Sequence, residues 1–344
     1  MHTELIKLDM EPERGIALGA RLLREGQLVA FPPEPVYGLG ANALDGAAVQ
    51  KIFDAKGRPS DNPLILHVAD TQSVDKLVLS VPRSARRLMD AFWPGPLTII
   101  LKKSAIVPDI VTAGLDSAGI RMPGNAYARA LIAAAGCPVA APSANTSGRP
   151  SPTCAEHVYT DMDGRIPLIL DGGQCRYGVE STVLSLVDEP VILRPGAVTK
   201  EMLEVQIGPV KVAPGVFAPL EAGEKSASPG LKYRHYSPKA DTVLVGGDQE
   251  KAVAAICRLY DDAPNALIIA SDETAGRCAP RCCIGLGSRD NPEKICAGLF
   301  SALRKADDMG VSLVLLEALD TSGEGMAYMN RALRAAGFKY VIQA

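Results

Sequence analysis

The sequence predicts an α/β protein of two domains joined by a linker, and three observations carry that reading. Its 344 residues exceed what one core of roughly 150 residues organises. Helix-period and strand-period segments alternate toward both ends of the chain. Between them, residues 211–240 lose that periodicity and fill with proline and glycine, as a linker does. The first domain is therefore expected over 1–210, the linker over 211–240, and a second, Rossmann-like α/β domain over 241–344.

The segment 14–25, RGIALGARLLRE, sets Ile16, Leu18, Leu22 and Leu23 near one helical face, and Gly26 passes the chain to a strand, QLVAF. PPEPVYGLGANAL reads as a glycine-rich turn around Tyr37. It lacks the third glycine and the spacing of a dinucleotide fingerprint. Asp45 can cap the next helix. That helix delivers Lys56 and Arg58 to KGRPSDNPLILH, where Pro59 and Pro63 stiffen the backbone ahead of a strand ending on His67. The planar fork of arginine and the point charge of lysine make this turn a candidate anion clamp, although a solvated basic turn has the same composition.

Two amphipathic helices then lead to FWPGP and the strand LTIILKK. A DSAG turn bearing Ser117 precedes GIRMP, a short strand presenting Arg121. An alanine-rich helix over 125–135 and the strand CPVAAP empty into SANTSGRPSPT, residues 143–153. Ser143, Asn145, Ser147, Ser151 and Thr153 offer donors and acceptors there with little bulk, and a plain turn-rich loop looks the same. YGVESTVLSL places Ser181 and Thr182 at a strand start, and VILRPG places Arg194 at a strand end.

The linker ends in SPGLKYRHYSPKA. Its Lys232, Arg234 and His235, interleaved with Tyr233 and Tyr236, suit a phosphate or a base, and equally a loop packed between domains. Beyond it, DTVLVG, NALIIA, a weaker stretch near 283–286, VSLVLLEAL and KYVIQ alternate with helices over 249–260, 291–306 and 324–336, which predicts a doubly wound parallel sheet. Two glycines in GEGMAYMNRALRAAG suit an anion or, preferably, a close helix approach.

A net charge of -3 argues against a protein that coats nucleic acid through bulk positive charge, so any RNA contact is expected to be local. The N-terminus has no apolar signal-peptide core, and no apolar run nears the ~18 residues of a membrane span, so a cytoplasmic location is expected. Eight cysteines without a C-x-x-C pair read as reduced and mostly buried; the cluster Cys278, Cys282 and Cys283 is the one place to check for a metal.

Lys56, Arg58, Arg121 and Arg194 are thus four cations at element ends, with His67 at another strand end and a hydroxyl-rich loop to share them. Ligands of open α/β sheets sit at strand ends, so the set fits a polyanionic nucleotide. No paired carboxylates, Ser-His-Asp order or Cys-His pair stands out, which leaves positioning and charge stabilisation, as in phosphoryl or nucleotidyl transfer.

In order and spacing, FPPEPVYGLGANAL, KGRPSDNPLILH, GIRMP, APSANTSGRPSPT and SPGLKYRHYSP resemble the YrdC-like family, specifically its longer, two-domain L-threonylcarbamoyladenylate synthases. The resemblance implies a twisted open N-terminal α/β domain whose basic cavity converts L-threonine, bicarbonate and ATP to threonylcarbamoyl-adenylate and pyrophosphate. Downstream transfer proteins would use that product to modify tRNA. Carried over by motif, Lys56, Arg58 and Asn62 hold the ATP phosphates, the first two also acting in catalysis. Ser117, Ser143, Asn145 and Ser151 line the nucleotide, and Arg194 and Tyr236 complete its site. Pro35, His67, Arg121, the backbone at Ala141, and Ser181 hold threonine. Magnesium is expected on the phosphates, without a direct protein ligand. Pro33 and Pro35 depart from the family, which usually has threonines there, the second lying against the amino acid. Two other functions fit the same residues: binding of double-stranded RNA or tRNA in ribosome or tRNA maturation, and carbamoyl-adenylate formation with a different acceptor amine.

Overall fold

The computed structural model describes residues 2–219, 228 and 236–343. The first domain runs β1 (Glu4–Lys7), α1 (Pro12–Arg24), β2 (Val29–Phe31), β3 (Gly38–Asn42), α2 (Gly46–Lys56), β4 (Ile65–His67), α3 (Val74–Leu77), α4 (Arg83–Phe92), β5 (Leu97–Lys102) and α5 (Asp109–Thr112). It continues with β6 (Ser117–Arg121), α6 (Ala126–Ala135), β7 (Val139–Ala140), α7 (Ala155–Met162), β8 (Leu168–Asp171), β9 (Thr182–Ser185), β10 (Val191–Arg194), α8 (Lys200–Ile207) and β11 (Lys211–Val212). Among the described residues its strands form one mixed sheet, ordered β1-β8-β2-β3-β7-β4-β6-β5-β9-β10-β11.

Both faces of this sheet are covered, which explains strands without a polar face. In β2, Val29 and Phe31 point into a core with Leu23, Leu131 and Leu170, while Ala30 joins Leu39, Ile52, Leu66 and Ile120 on the opposite side. The GLGAN stretch, expected as a turn, is strand β3, antiparallel to β2 and β7. Gly40 is glycine because a Cβ there would lie 2.8 Å from both Phe31 and Val139. Ser117, likewise expected in a turn, opens strand β6 opposite Lys102.

The region expected as a linker is structured at its start. β11 pairs with β10, and a 3-10 turn at Pro214–Val216 buries Val216. Lys232, Tyr233, Arg234 and His235 lie outside the described residues.

The second domain runs β12 (Asp241–Gly247), α9 (Gln249–Asp261), β13 (Ala266–Ala270), α10 (Asp272–Cys278), β14 (Cys283–Gly285), α11 (Pro292–Met309), β15 (Leu313–Glu317), α12 (Gly325–Ala335) and β16 (Tyr340–Gln343). Its sheet, β14-β13-β15-β12-β16, is parallel throughout. Asp248, Ser271 and Asn291 cap the starts of α9, α10 and α11 through their side chains. At the start of α12, a Cβ on Gly325 would lie 2.1 Å from the Asp320 carbonyl, so close backbone approach accounts for that glycine. The cysteines are free thiols, and the described residues contain no cluster of three or more metal-ligating side chains. No described helix is long and apolar enough to cross a membrane.

Every residue of α12 is buried, including Asn330, Arg331 and Arg334. A helix polar on the side away from its own sheet must find partners elsewhere, and α12 finds them in the first domain and in the segment that follows β11. Asn330 donates to the Val216 carbonyl at 2.6 Å and Arg334 to that of Gly215 at 2.6 Å. From α11, Arg304 donates to the Pro150 carbonyl at 2.6 Å and to Asp161 at 2.9 Å. Backbone contact is just as close: Gly178, at φ 68°, would bring a Cβ to 2.5 Å from Ala297.

Candidate active site

The first domain holds a cleft with about 570 Å³ of empty space, its mouth included, whose lining is completed by Tyr236 from the end of the linker. Its walls bring together nine of the residues selected from sequence: Pro35, Arg58, His67, Arg121, Ala141, Ser143, Ser181, Arg194 and Tyr236.

Helix α2 supplies the first cations. Asp45 caps its start, accepting from the amides of Ala47 and Ala48, and Gly57 ends it in the left-handed conformation at φ 60°. The reversal turns Lys56 inward and leads to Arg58. Arg58 lines the cleft, one guanidinium nitrogen 3.3 Å from the carbonyls of Asn62 and Pro63. Lys56 does not line it. Its ammonium lies behind the wall, donating to the Ser143 carbonyl at 2.5 Å and to that of Asn145, so it ties the KGR turn to the polar loop. Burial, and then the neighbouring Arg58, push its pKa well below the ordinary lysine value.

The polar loop is similarly divided. Ser143 faces the cleft, whereas the Asn145 amide holds the loop closed through the Thr146 and Arg149 carbonyls at 2.8 and 2.9 Å. Ser151 donates to Glu180 at 2.5 Å. Asn62 is buried outside the described lining, and neither atom of its amide finds a partner among the described residues. Ser117 is not brought to the cleft. It lines a separate cavity of about 280 Å³ with Pro63, Thr98, Thr112 and Val183, which meets the cleft only along Ile65.

The parallel pairing of β4 with β6 sets His67 beside Arg121. Burial and Arg121 push the imidazole down to about 3, so His67 is neutral. Arg121 donates through Nε to the Gly95 carbonyl at 3.1 Å and through Nη2 to that of Pro33 at 2.6 Å. Burial and the nearby Arg194 bring its pKa down to about 9, so it remains a cation near neutrality. At the end of β10, a register shift between Ile192 and Arg194 re-aims Arg194. Its guanidinium donates to both the carbonyl and the hydroxyl of Ser181 at 3.1 Å, and that hydroxyl lies 2.8 Å from Thr98. Tyr236, at φ 63°, stacks on Phe300 of the second domain with ring centroids 5.0 Å apart.

Sequence reasoning missed Glu180, the carboxylate among the described lining residues, although it stands in the same GVEST stretch as Ser181. Arg331 of α12 reaches it at 3.0 Å. Burial works against the charge on Glu180, but Arg331 and Arg194 outweigh it and hold the carboxyl below its ordinary range. The cleft thus presents Arg58, Arg121 and Arg194 around one neutralised acid and a neutral imidazole, an arrangement suited to a small anion beside a larger one.

Residues 21–196 match a family model covering the Sua5, YciO and YrdC proteins and described as telomere recombination, and residues 198–337 match one described as the threonylcarbamoyl-AMP synthase C-terminal domain. The threonylcarbamoyl-AMP synthase of Bacillus subtilis is 47% identical over 329 residues, 95% of this chain and 94% of that protein. Its namesake from Pyrococcus abyssi is 44% identical over 336 residues, 95% of each. The structure of P. abyssi Sua5 complexed with L-threonine superimposes with a TM-score of 0.92 at 41% identity, covering 100% of both chains.

Proposed function

The chain belongs to the Sua5, YciO and YrdC family in its two-domain, threonylcarbamoyl-AMP synthase form, and from that premise we propose that its first-domain cleft condenses L-threonine, bicarbonate and ATP into threonylcarbamoyl-AMP and pyrophosphate. The observation that carries this reading is the convergence of three guanidinium groups on a cleft that also holds neutral His67 and Ser181.

Two of the five donors of Arg121 are committed to backbone carbonyls, which orients the rest of its fork for the threonine carboxylate. Ser181 and His67 offer uncharged hydrogen-bonding groups to the remainder of the amino acid. The N–H of Ala141 is spent on the Ile65 carbonyl, so contact at that position falls to its own carbonyl. Pro35 can offer its ring or carbonyl but no donor.

The threonine amine adds to bicarbonate with loss of water, giving a carbamate. A carbamate oxygen then attacks the α-phosphorus of ATP, and the bond to the β-phosphate oxygen breaks to release pyrophosphate. Arg58 and Arg194 offset the charge that gathers on the transferring and departing phosphates. Lys56 acts through the loop it anchors, holding Ser143 toward the nucleotide. The buried amide of Asn62, without a partner among the described residues, suits a phosphate oxygen or its water. Magnesium would arrive on the ATP phosphates, because Glu180 is already committed to Ser151 and Arg331 and no described cluster of ligating side chains offers a resident site. The product is a labile mixed anhydride, to be consumed by proteins that modify tRNA.

Pyrophosphate release from ATP, with magnesium and bicarbonate, tests this reading. Release that requires L-threonine is the expected result. Release with serine alone would redirect the assignment to another acceptor amine. No release from folded protein, together with salt-sensitive retention of double-stranded RNA, would replace catalysis with RNA binding.

A further inference from the structure

Resting on the reading that the cleft binds ATP, we infer that Arg331 of the second domain is a positioning residue for the nucleotide end of the site, acting through Glu180. Arg331 is fully buried and touches first-domain groups on three sides. Its Nε donates to the Glu180 carboxylate at 3.0 Å, Nη2 to the Glu180 carbonyl at 3.0 Å, and Nη1 to the Pro195 carbonyl at 2.5 Å.

Those acceptors are neighbours of the working residues. Glu180 precedes Ser181, and Pro195 follows Arg194. The two segments run so close that a Cβ on Gly196 would lie 2.4 Å from the Thr182 nitrogen. One guanidinium therefore clamps together the backbones that carry Ser181 and Arg194. The second carboxylate oxygen of Glu180 accepts from Ser151, which extends the clamp to the polar loop.

Charge supplies the other half of the argument. Glu180 lines a cleft meant for a polyphosphate, and an uncompensated carboxylate there would repel it. Arg194, Lys56 and the Tyr236 hydroxyl also act on Glu180 or are acted on by it, but Arg194 faces the ligand and Lys56 is bound to backbone carbonyls. Arg331 alone of these cations comes from the second domain. Docking of that domain thus neutralises the acid and sets the spacing of the nucleotide site in one step.

The test compares wild type, Arg331→Met, Arg331→Lys and the double variant Arg331→Met/Glu180→Gln in the full chain, by calorimetric titration with a nonhydrolysable ATP analogue and separately with L-threonine. Arg331→Met should weaken the analogue about tenfold or more and threonine clearly less, because the stranded Glu180 carboxylate repels a polyphosphate far more than a zwitterionic amino acid in the same cleft. Adding Glu180→Gln should restore most of that loss, which a purely structural role would not allow. Unchanged analogue affinity, or equal weakening of both ligands without recovery in the double variant, would overturn the inference. Should Arg331→Met not fold, Arg331→Lys carries the test: its ammonium keeps the charge but cannot span three acceptors, so it should still weaken the analogue more than threonine, and equal or no weakening would overturn the inference. Failure of wild type to bind the analogue would instead sink the nucleotide reading, and the inference with it.

Discussion

His67 and Arg121 are Cα partners across the parallel β4–β6 pairing, so a buried imidazole sits directly beside a buried guanidinium. The cation and the lack of solvent together keep the imidazole neutral down to about pH 3. Its unfolded counterpart titrates near 6.5, so between those values the unfolded chain binds the extra proton. Stability should then fall as pH drops from about 6.5 toward 3, at roughly 1.4 kcal/mol per pH unit for this group. His157, pushed down to about 4 by burial and Arg304, adds to the slope in the upper part of that window. Urea titrations from pH 7 to 4.5 check this. The His67→Gln variant should show a shallower slope, and an identical slope would refute the assignment.

Arg121→Lys should raise the KM for threonine by about tenfold or more while the KM for ATP changes little, because a lysine keeps the charge but loses the fork, whose loss is worth about 1.5 kcal/mol or more. Steady-state pyrophosphate release at varied threonine checks it. Parallel changes in both constants would place Arg121 in the scaffold instead.

Lys56→Ala should abolish pyrophosphate release and also destabilise the fold by about 1–3 kcal/mol, since it strands two carbonyls that its ammonium now satisfies. Arg58→Ala should lose activity with a smaller change in stability. Melting curves of both variants distinguish the buried anchor from the cleft-facing cation, and equal melting temperatures would contradict the division.

Pro35→Thr should tighten threonine binding about fivefold, by restoring one hydrogen bond to the ligand at the cleft wall worth about 1 kcal/mol. Calorimetric titration with threonine gives the answer directly. Unchanged affinity would mean that the proline ring is an adequate wall.

What the sequence made legible was local. Lys56, Arg58 and His67 sit within one turn and strand, and Arg121 and Arg194 end strands whose apolar runs announce them. What it hid depends on contacts between distant segments. Glu180 and Arg331 are 151 residues apart, and neither belongs to a pattern that names the other. Strand β1 was obscured by the charges in ELIK, and its partner β8 lies more than 160 residues on. GLGAN misled because glycine marks a turn only when nothing large packs against it, and here Phe31 and Val139 do. Ser117 followed the motif but not the geometry: it begins the strand that Arg121 ends, about 13 Å away at strand rise.

Helix α12 bears on how this chain can be taken apart. Cut between Val216 and β12, it would present Asn330, Arg331 and Arg334 to water on one fragment and leave the Glu180 carboxylate without Arg331, and the carbonyls of Pro195, Gly215 and Val216 without their second-domain donors, on the other. The two halves are therefore not interchangeable modules. Separately expressed, each would carry an exposed face shaped for the other, and mixing them should rebuild one particle with one melting transition rather than a pair of independent ones.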